Sequence, residues 1–197
     1  MAELRTISSN VRIKGTLRTD GALVSPTLKS NFSAANQTGF AVDTAVVGTA
    51  IAMPPGGFVA GSRYTVVLDM VKTAAGTATP IFVVRIGTAG TVADAAILTF
   101  TFAAGTAAVD TGTVTIVAQF RTVGSGTSAV LAGTATIQHA LAATGLTSTG
   151  ASGQAQLAVV SSGFDSTVAG SIISVSFNGG TSFAGTNTIV NAELRSF

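Results

Sequence analysis

Apolar residues recur at every second position along most of this chain, and almost nowhere at the three-to-four-residue spacing of a helix. In Thr113–Thr122, Val114, Ile116, Ala118 and Phe120 fall on one side, opposite Thr115, Gln119 and Arg121. Successive side chains of a strand point to opposite faces, so such a segment has one face for a core and one for solvent. Ser62–Lys72 repeats the pattern, with Tyr64, Val66, Leu68 and Met70 facing away from Arg63, Thr65 and Asp69. Ile97–Phe102 sets Leu98, Phe100 and Phe102 inward, and Ile81–Ile86, apolar on both faces apart from Arg85, reads as a central strand. Further strands are expected at Val130–Gln138, Gln156–Ser161, Ser171–Phe177 and Thr188–Leu194, with weaker ones at Asn31–Val42 and Val46–Met53.

Small, flexible stretches join these segments. Pro54-Pro55-Gly56-Gly57 marks a break, and Asn178-Gly179-Gly180 carries the signature of a tight hairpin turn before Thr181–Phe183. Nine or ten short strands with these connectors predict an all-β fold, an antiparallel two-sheet sandwich. A jelly roll is the commonest such plan at this size, with an immunoglobulin-like sandwich as the alternative. Residues 1–29 differ: polar and basic, with a break near Ser25-Pro26, they read as an extended N-terminal arm ahead of a sandwich domain at 30–197.

Composition narrows the function. From Thr122 to Ala192 the only formal charge is Asp165, and 9% of the whole chain is charged, where roughly a quarter is usual. Hydroxyls, small side chains and backbone must therefore cover the surface. That is poor material for acid–base chemistry and good material for packing against copies of itself. The mean hydropathy is +0.58, yet a membrane span needs about 20 consecutive apolar residues, and Gly, Ser or Thr interrupts every run here. The first ten residues lack the apolar core of a signal peptide. With no cysteine there is no disulfide and no thiolate metal site.

A net charge of +2 is too small to argue for nucleic acid or an acidic membrane. Its distribution is more informative. Arg5, Arg12, Lys14, Arg18 and Lys29, half of the ten basic residues, stand in the arm against Glu3 and Asp20. These five are the candidate attachment residues.

Catalytic readings are weak. His139, the single histidine, has no carboxylate within twenty residues on either side and reads as a strand-end or interface residue. Asp43, Asp69, Asp94, Asp110 and Asp165 are too dispersed for a calcium loop and read as turn-capping residues. Phe32, Phe40, Phe58, Phe164, Phe177 and Phe183 could line a sugar cleft, but without Trp and with one Tyr they read as core. The expectation is a protein that is not an enzyme and needs no cofactor or metal.

Several phrases resemble a group of tailed-bacteriophage structural proteins. They are Asn31-Phe32-Ser33-Ala34-Ala35-Asn36-Gln37-Thr38-Gly39-Phe40, Lys72-Thr73-Ala74-Ala75-Gly76-Thr77-Ala78-Thr79-Pro80, Val123-Gly124-Ser125-Gly126-Thr127 and Ser176-Phe177-Asn178-Gly179-Gly180-Thr181-Ser182-Phe183. The resemblance covers about residues 30–197 and is one of local phrases, not of a catalytic signature. It implies a virion component on the outer surface of a phage particle, with the N-terminal segment as the attachment part. The expected role is capsid decoration, as cement or head fibre; the alternative is a tail-fibre or receptor-binding module recognising host surface glycans. The expected partners are further copies of the chain, as a trimer, and the major capsid protein or another virion protein, with no nucleic acid and no membrane.

Overall fold

The alternating segments form strands in the computed structural model, which describes residues 27–73, 76–148 and 153–196 and has no helix among them. The strands are β1 (Thr27–Ser33), β2 (Thr44–Ala45), β3 (Ile51–Ala52), β4 (Arg63–Lys72), β5 (Ile81–Gly87) and β6 (Ala95–Thr101). There follow β7 (Asp110–Thr122), β8 (Val130–His139), β9 (Gln154–Val160), β10 (Ile172–Asn178) and β11 (Gly185–Ser196). Six of them form one antiparallel sheet in the order β1-β11-β4-β7-β8-β9. The other sheet runs β2-β10-β5-β6, with β3 also paired to β10.

Set aside β8 and β9, and the two layers read β1-β11-β4-β7 and β2/β3-β10-β5-β6. The chain crosses from one sheet to the other at every connection except that between β5 and β6 and the break between β2 and β3. This is the connectivity of a jelly roll. The β8–β9 hairpin is an addition that widens one sheet only.

The expected inward faces are the observed ones. Tyr64, Val66, Leu68, Val114, Ile116 and Phe120 are buried, as are Phe82, Val84, Phe100 and Val175 from the opposite sheet. Phe177 stacks on Phe82 with ring centroids 4.4 Å apart and meets Phe40 and Phe183 at 5.2 and 5.3 Å. A second group stacks Phe58 on Phe120 at 4.5 Å. Of the phenylalanines considered for a sugar cleft, Phe40, Phe58 and Phe177 are buried and Phe164 and Phe183 pack against the core. Phe32 alone is widely exposed, at 73%.

Two expectations need correcting. The Asn178-Gly179-Gly180 turn does not close a hairpin; it carries the chain from β10 across to β11 in the other sheet. The region expected as two weak strands, Asn31–Val42 and Val46–Met53, holds β1 and then a single strand broken into β2 and β3. Both pieces pair with β10, at Phe177–Ser176 and at Ile173–Ile172. The break occurs because Gly48 takes φ +88°, with Ser33 N only 2.7 Å from where a Cβ would stand.

A threonine side chain repairs the broken ladder. Thr49 Oγ1 donates to Val46 O (2.7 Å) and accepts from Val175 N (3.1 Å), while the Tyr64 hydroxyl donates to Thr49 O (2.6 Å). Burial pushes the Tyr64 phenol far above its ordinary pKa, so it remains a donor. Thr49→Val should cost about 1–3 kcal/mol, because it leaves the Val175 N–H buried without an acceptor. Urea unfolding of the two proteins measures the difference.

Candidate functional site

Among the described residues the charges balance: Lys29, Arg63, Lys72, Arg85, Arg121 and Arg195 against Asp43, Asp69, Asp94, Asp110, Asp165 and Glu193, six minus six. The chain's net +2 therefore resides in residues 1–26, four basic minus two acidic. Arg5, Arg12, Lys14 and Arg18 lie outside the described residues.

Lys29, the fifth candidate, belongs to β1, which takes in the last three residues of the expected arm. Its Nζ donates to Ala52 O (2.9 Å) and Met53 O (3.0 Å), and Asn31 Nδ2 donates to Ala50 O (2.8 Å). These two side chains lace β1 to the β3 segment across one open side of the sandwich. Asn31 Oδ1 also accepts from Phe32 N (2.9 Å), which occupies a backbone donor on this edge.

Most other charges are likewise engaged internally. Arg85 bonds to Asp43 through Nη2, to Ser176 Oγ (2.8 Å) and to Asp94 O (2.8 Å). Asp94 accepts from Ala89 N (3.0 Å) and Gly90 N (2.6 Å), and Asp69 accepts from Thr113 Oγ1 (2.8 Å). Asp165 accepts from the Thr167 hydroxyl (2.7 Å), Thr167 N (2.8 Å) and Gly126 N (3.0 Å).

The Thr167 hydroxyl above all, with the Thr167 and Gly126 N–H groups, holds the Asp165 carboxyl below its ordinary pKa of 3.8. A carboxylate whose folded value is depressed stabilises above its unfolded pKa and loses that contribution as pH falls through the folded one. The Asp165 staple should thus persist at mildly acid pH and open only below 3.8. Amide exchange at Gly126 across an acid titration reports it.

Lys72 and Asp110 face each other on β4 and β7. Lys72, 1% exposed, donates to Thr106 O and to Ala108 O (3.0 Å). Burial pushes its ammonium pKa down, and the Asp110 carboxylate opposes that shift. Asp110 Oδ2 also meets His139 Nδ1 at 2.7 Å and accepts from Leu146 N (2.9 Å), and Oδ1 accepts from Thr111 N (2.9 Å). Both side chains of the Asp110–His139 pair are fully buried. Gly145, at φ +87°, packs so closely that a Cβ there would stand 2.2 Å from Asp110 Oδ2. The sequence reading placed His139 at a strand end correctly but missed its carboxylate. The β7–β8 hairpin makes the pair, since Gly112 lies opposite His139. Lys72 thus ties the 102–109 connection to the sheet, and Asp110 ties the 143–147 turn to it.

Four charged side chains remain: Arg63, Arg121, Arg195 and Glu193. All are exposed, and they share one corner of the outer face of the six-stranded sheet. Arg195 stands directly opposite Arg63, and Arg63 opposite Gln119, with Arg121 two residues further along β7. That row continues through Ala132 to Val160 on β9 and ends at Leu28 on β1. Like charges directly opposite on neighbouring strands destabilise a sheet. Among the described residues none of the three arginines has a carboxylate within ion-pair distance.

Arg63, Thr65, Glu193 and Arg195 line a hollow of about 220 Å³. A second hollow of about 380 Å³ begins at Gln119 and Arg121 and runs over Ala132, Gly133 and Ala158 to Val160. The same corner is where residues 1–26 join the body, since Thr27 pairs with Ser196, next to Arg195. No single segment announces this corner, because its arginines come from three separate strands.

Comparison with family models, with curated proteins and with solved structures finds no match.

Proposed function

We propose that this chain is a structural component of a tailed-phage virion: a jelly roll that attaches to the particle through its basic N-terminal segment and decorates the outer surface of the shell as a homo-oligomer. The observation that carries the reading is the distribution of charge. The body is electrically neutral, its ionic groups are engaged internally except at one corner, and that corner adjoins Thr27, the residue that follows the basic N-terminal segment. A body of this kind offers hydroxyl-rich, nearly uncharged faces to its surroundings and one polar end to a support. The β9 edge, Gln154–Val160, has no charge and no proline to discourage pairing, which suits contact with further copies. The resemblance of its local phrases to phage structural proteins supports the same reading.

Removal of residues 1–26 is the direct test, because it leaves every described strand, from Thr27 onward, intact. The shortened protein should keep the circular dichroism of the full chain and lose binding to phage particles assembled without the protein. Full-stoichiometry binding of the shortened form would overturn attachment by this segment. Quantitative mass spectrometry of purified particles should find many copies spread over the shell. A handful of copies would move the protein to the tail, as a receptor-binding module, and its absence from particles would overturn the virion reading altogether.

A further inference from the structure

We infer that the Arg63–Arg121–Arg195 corner is a docking surface for a carboxylate-bearing segment of a partner protein. Three observations converge on it. The fold gathers its three arginines without internal carboxylate partners in one corner, while Lys29, Lys72 and Arg85 are all held by internal acceptors. It sets two of them directly opposite each other, at a strand spacing of about 4.8 Å, where an external anion relieves their repulsion. It also hollows the surface beside them, so that a ligand seats between side chains rather than on a flat face.

The surroundings define the ligand. Guanidinium forks match carboxylate and phosphate alike. Here Glu193, opposite Thr65, adds a negative charge to the lining of the first hollow, which disfavours a densely charged polyphosphate strand. The second hollow is lined mainly by Val117, Ala132, Gly133, Ala158 and Val160. A peptide with spaced acidic residues followed by small apolar ones satisfies both halves: carboxylates on Arg195, Arg63 and Arg121, then apolar side chains over β8 and β9. Because residues 1–26 join the body beside Arg195, the same partner can engage both. That this partner is another virion protein rests on the function proposed above; the chemistry of the surface does not.

The test reads the arginine Nε–Hε signals of the full chain by NMR during titration with a capped peptide of sequence Glu-Glu-Ala-Glu-Ala-Val. Saturable shifts are expected at Arg63, Arg121 and Arg195, weakening with added salt, while Arg85 stays unmoved. A short single-stranded oligonucleotide of equal charge should move these three less. Arg63→Gln with Arg195→Gln should weaken peptide binding by about fivefold to tenfold, given the modest worth of each exposed pair, with circular dichroism unchanged. Shifts confined to Arg5, Arg12 and Arg18 would overturn the inference and leave the virion reading standing. An equal or stronger response to the oligonucleotide would also overturn it, making the corner a phosphate site. Absence of the protein from particles would remove the virion reading without touching the peptide result.

Discussion

Phe177→Ala is expected to destabilise the protein by about 3–5 kcal/mol, the usual range for truncating a buried phenylalanine. Phe177 is 1% exposed and touches three other rings, so the void it leaves is bordered by Phe40, Phe82 and Phe183. It sits on β10 between β2 and β5, in sheet positions that cannot close inward without breaking ladder bonds. Collapse around the cavity should therefore be incomplete, which places the cost toward the upper part of that range. Urea unfolding should show a lower midpoint with little change in slope. Phe100→Ala and Phe120→Ala, at 0% and 1% exposure, should lose comparable amounts. A loss below about 1 kcal/mol for Phe177→Ala would mean that the aromatic group repacks freely.

Asp110→Ala should be as damaging, for an electrostatic reason. The change leaves the Lys72 ammonium buried without its facing carboxylate and strips acceptors from His139 Nδ1, Leu146 N and Thr111 N. Breaking a buried charged network from one side costs about 3–5 kcal/mol, since the remaining charge stays uncompensated. Asp110→Asn, which keeps an acceptor oxygen, should fall between wild type and the alanine variant. Thermal unfolding of the three proteins gives the order. Equal stability of Asp110→Ala and wild type would show that solvent reaches Lys72.

The strand segments were legible because alternation is a local property. Val114, Ile116, Ala118 and Phe120 announce an inward face whatever they pack against, and the structure buries all four. What alternation cannot carry is the partner of each strand. The Asn178-Gly179-Gly180 signal was sound as turn chemistry, since Asn178 Oδ1 accepts from Gly180 N (2.8 Å). But Gly179 N donates to Phe40 O (2.7 Å), so the turn leads out of the sheet instead of back along it. The same limit hid the arginine corner, which exists only through the registers that set Arg195 on Arg63 and Arg63 on Gln119. It hid the Asp110–His139 pair as well, because a hairpin brought together two residues that sequence spacing kept apart. The basic cluster at residues 5–18 was readable from composition alone; Lys29, grouped with it in the sequence reading, serves the sandwich itself.

The position of β11 has a consequence for how this protein is made. Of the described strands it is synthesised last, yet it lies between β1 and β4, both of which precede residue 73. A growing chain can pair β4 with β7, β7 with β8 and β8 with β9 as they leave the ribosome, but β1 has no neighbour in its sheet until residues 185–196 arrive. Folding of this layer thus waits for the synthesis of residues 185–196, through a pairing of very long sequence separation that forms slowly. A chain that stops before residue 185 keeps an open β4 edge, an unpaired β1 and no Arg195. Such a product is unable to complete either the sandwich or the arginine corner, so only chains that include β11 present that surface.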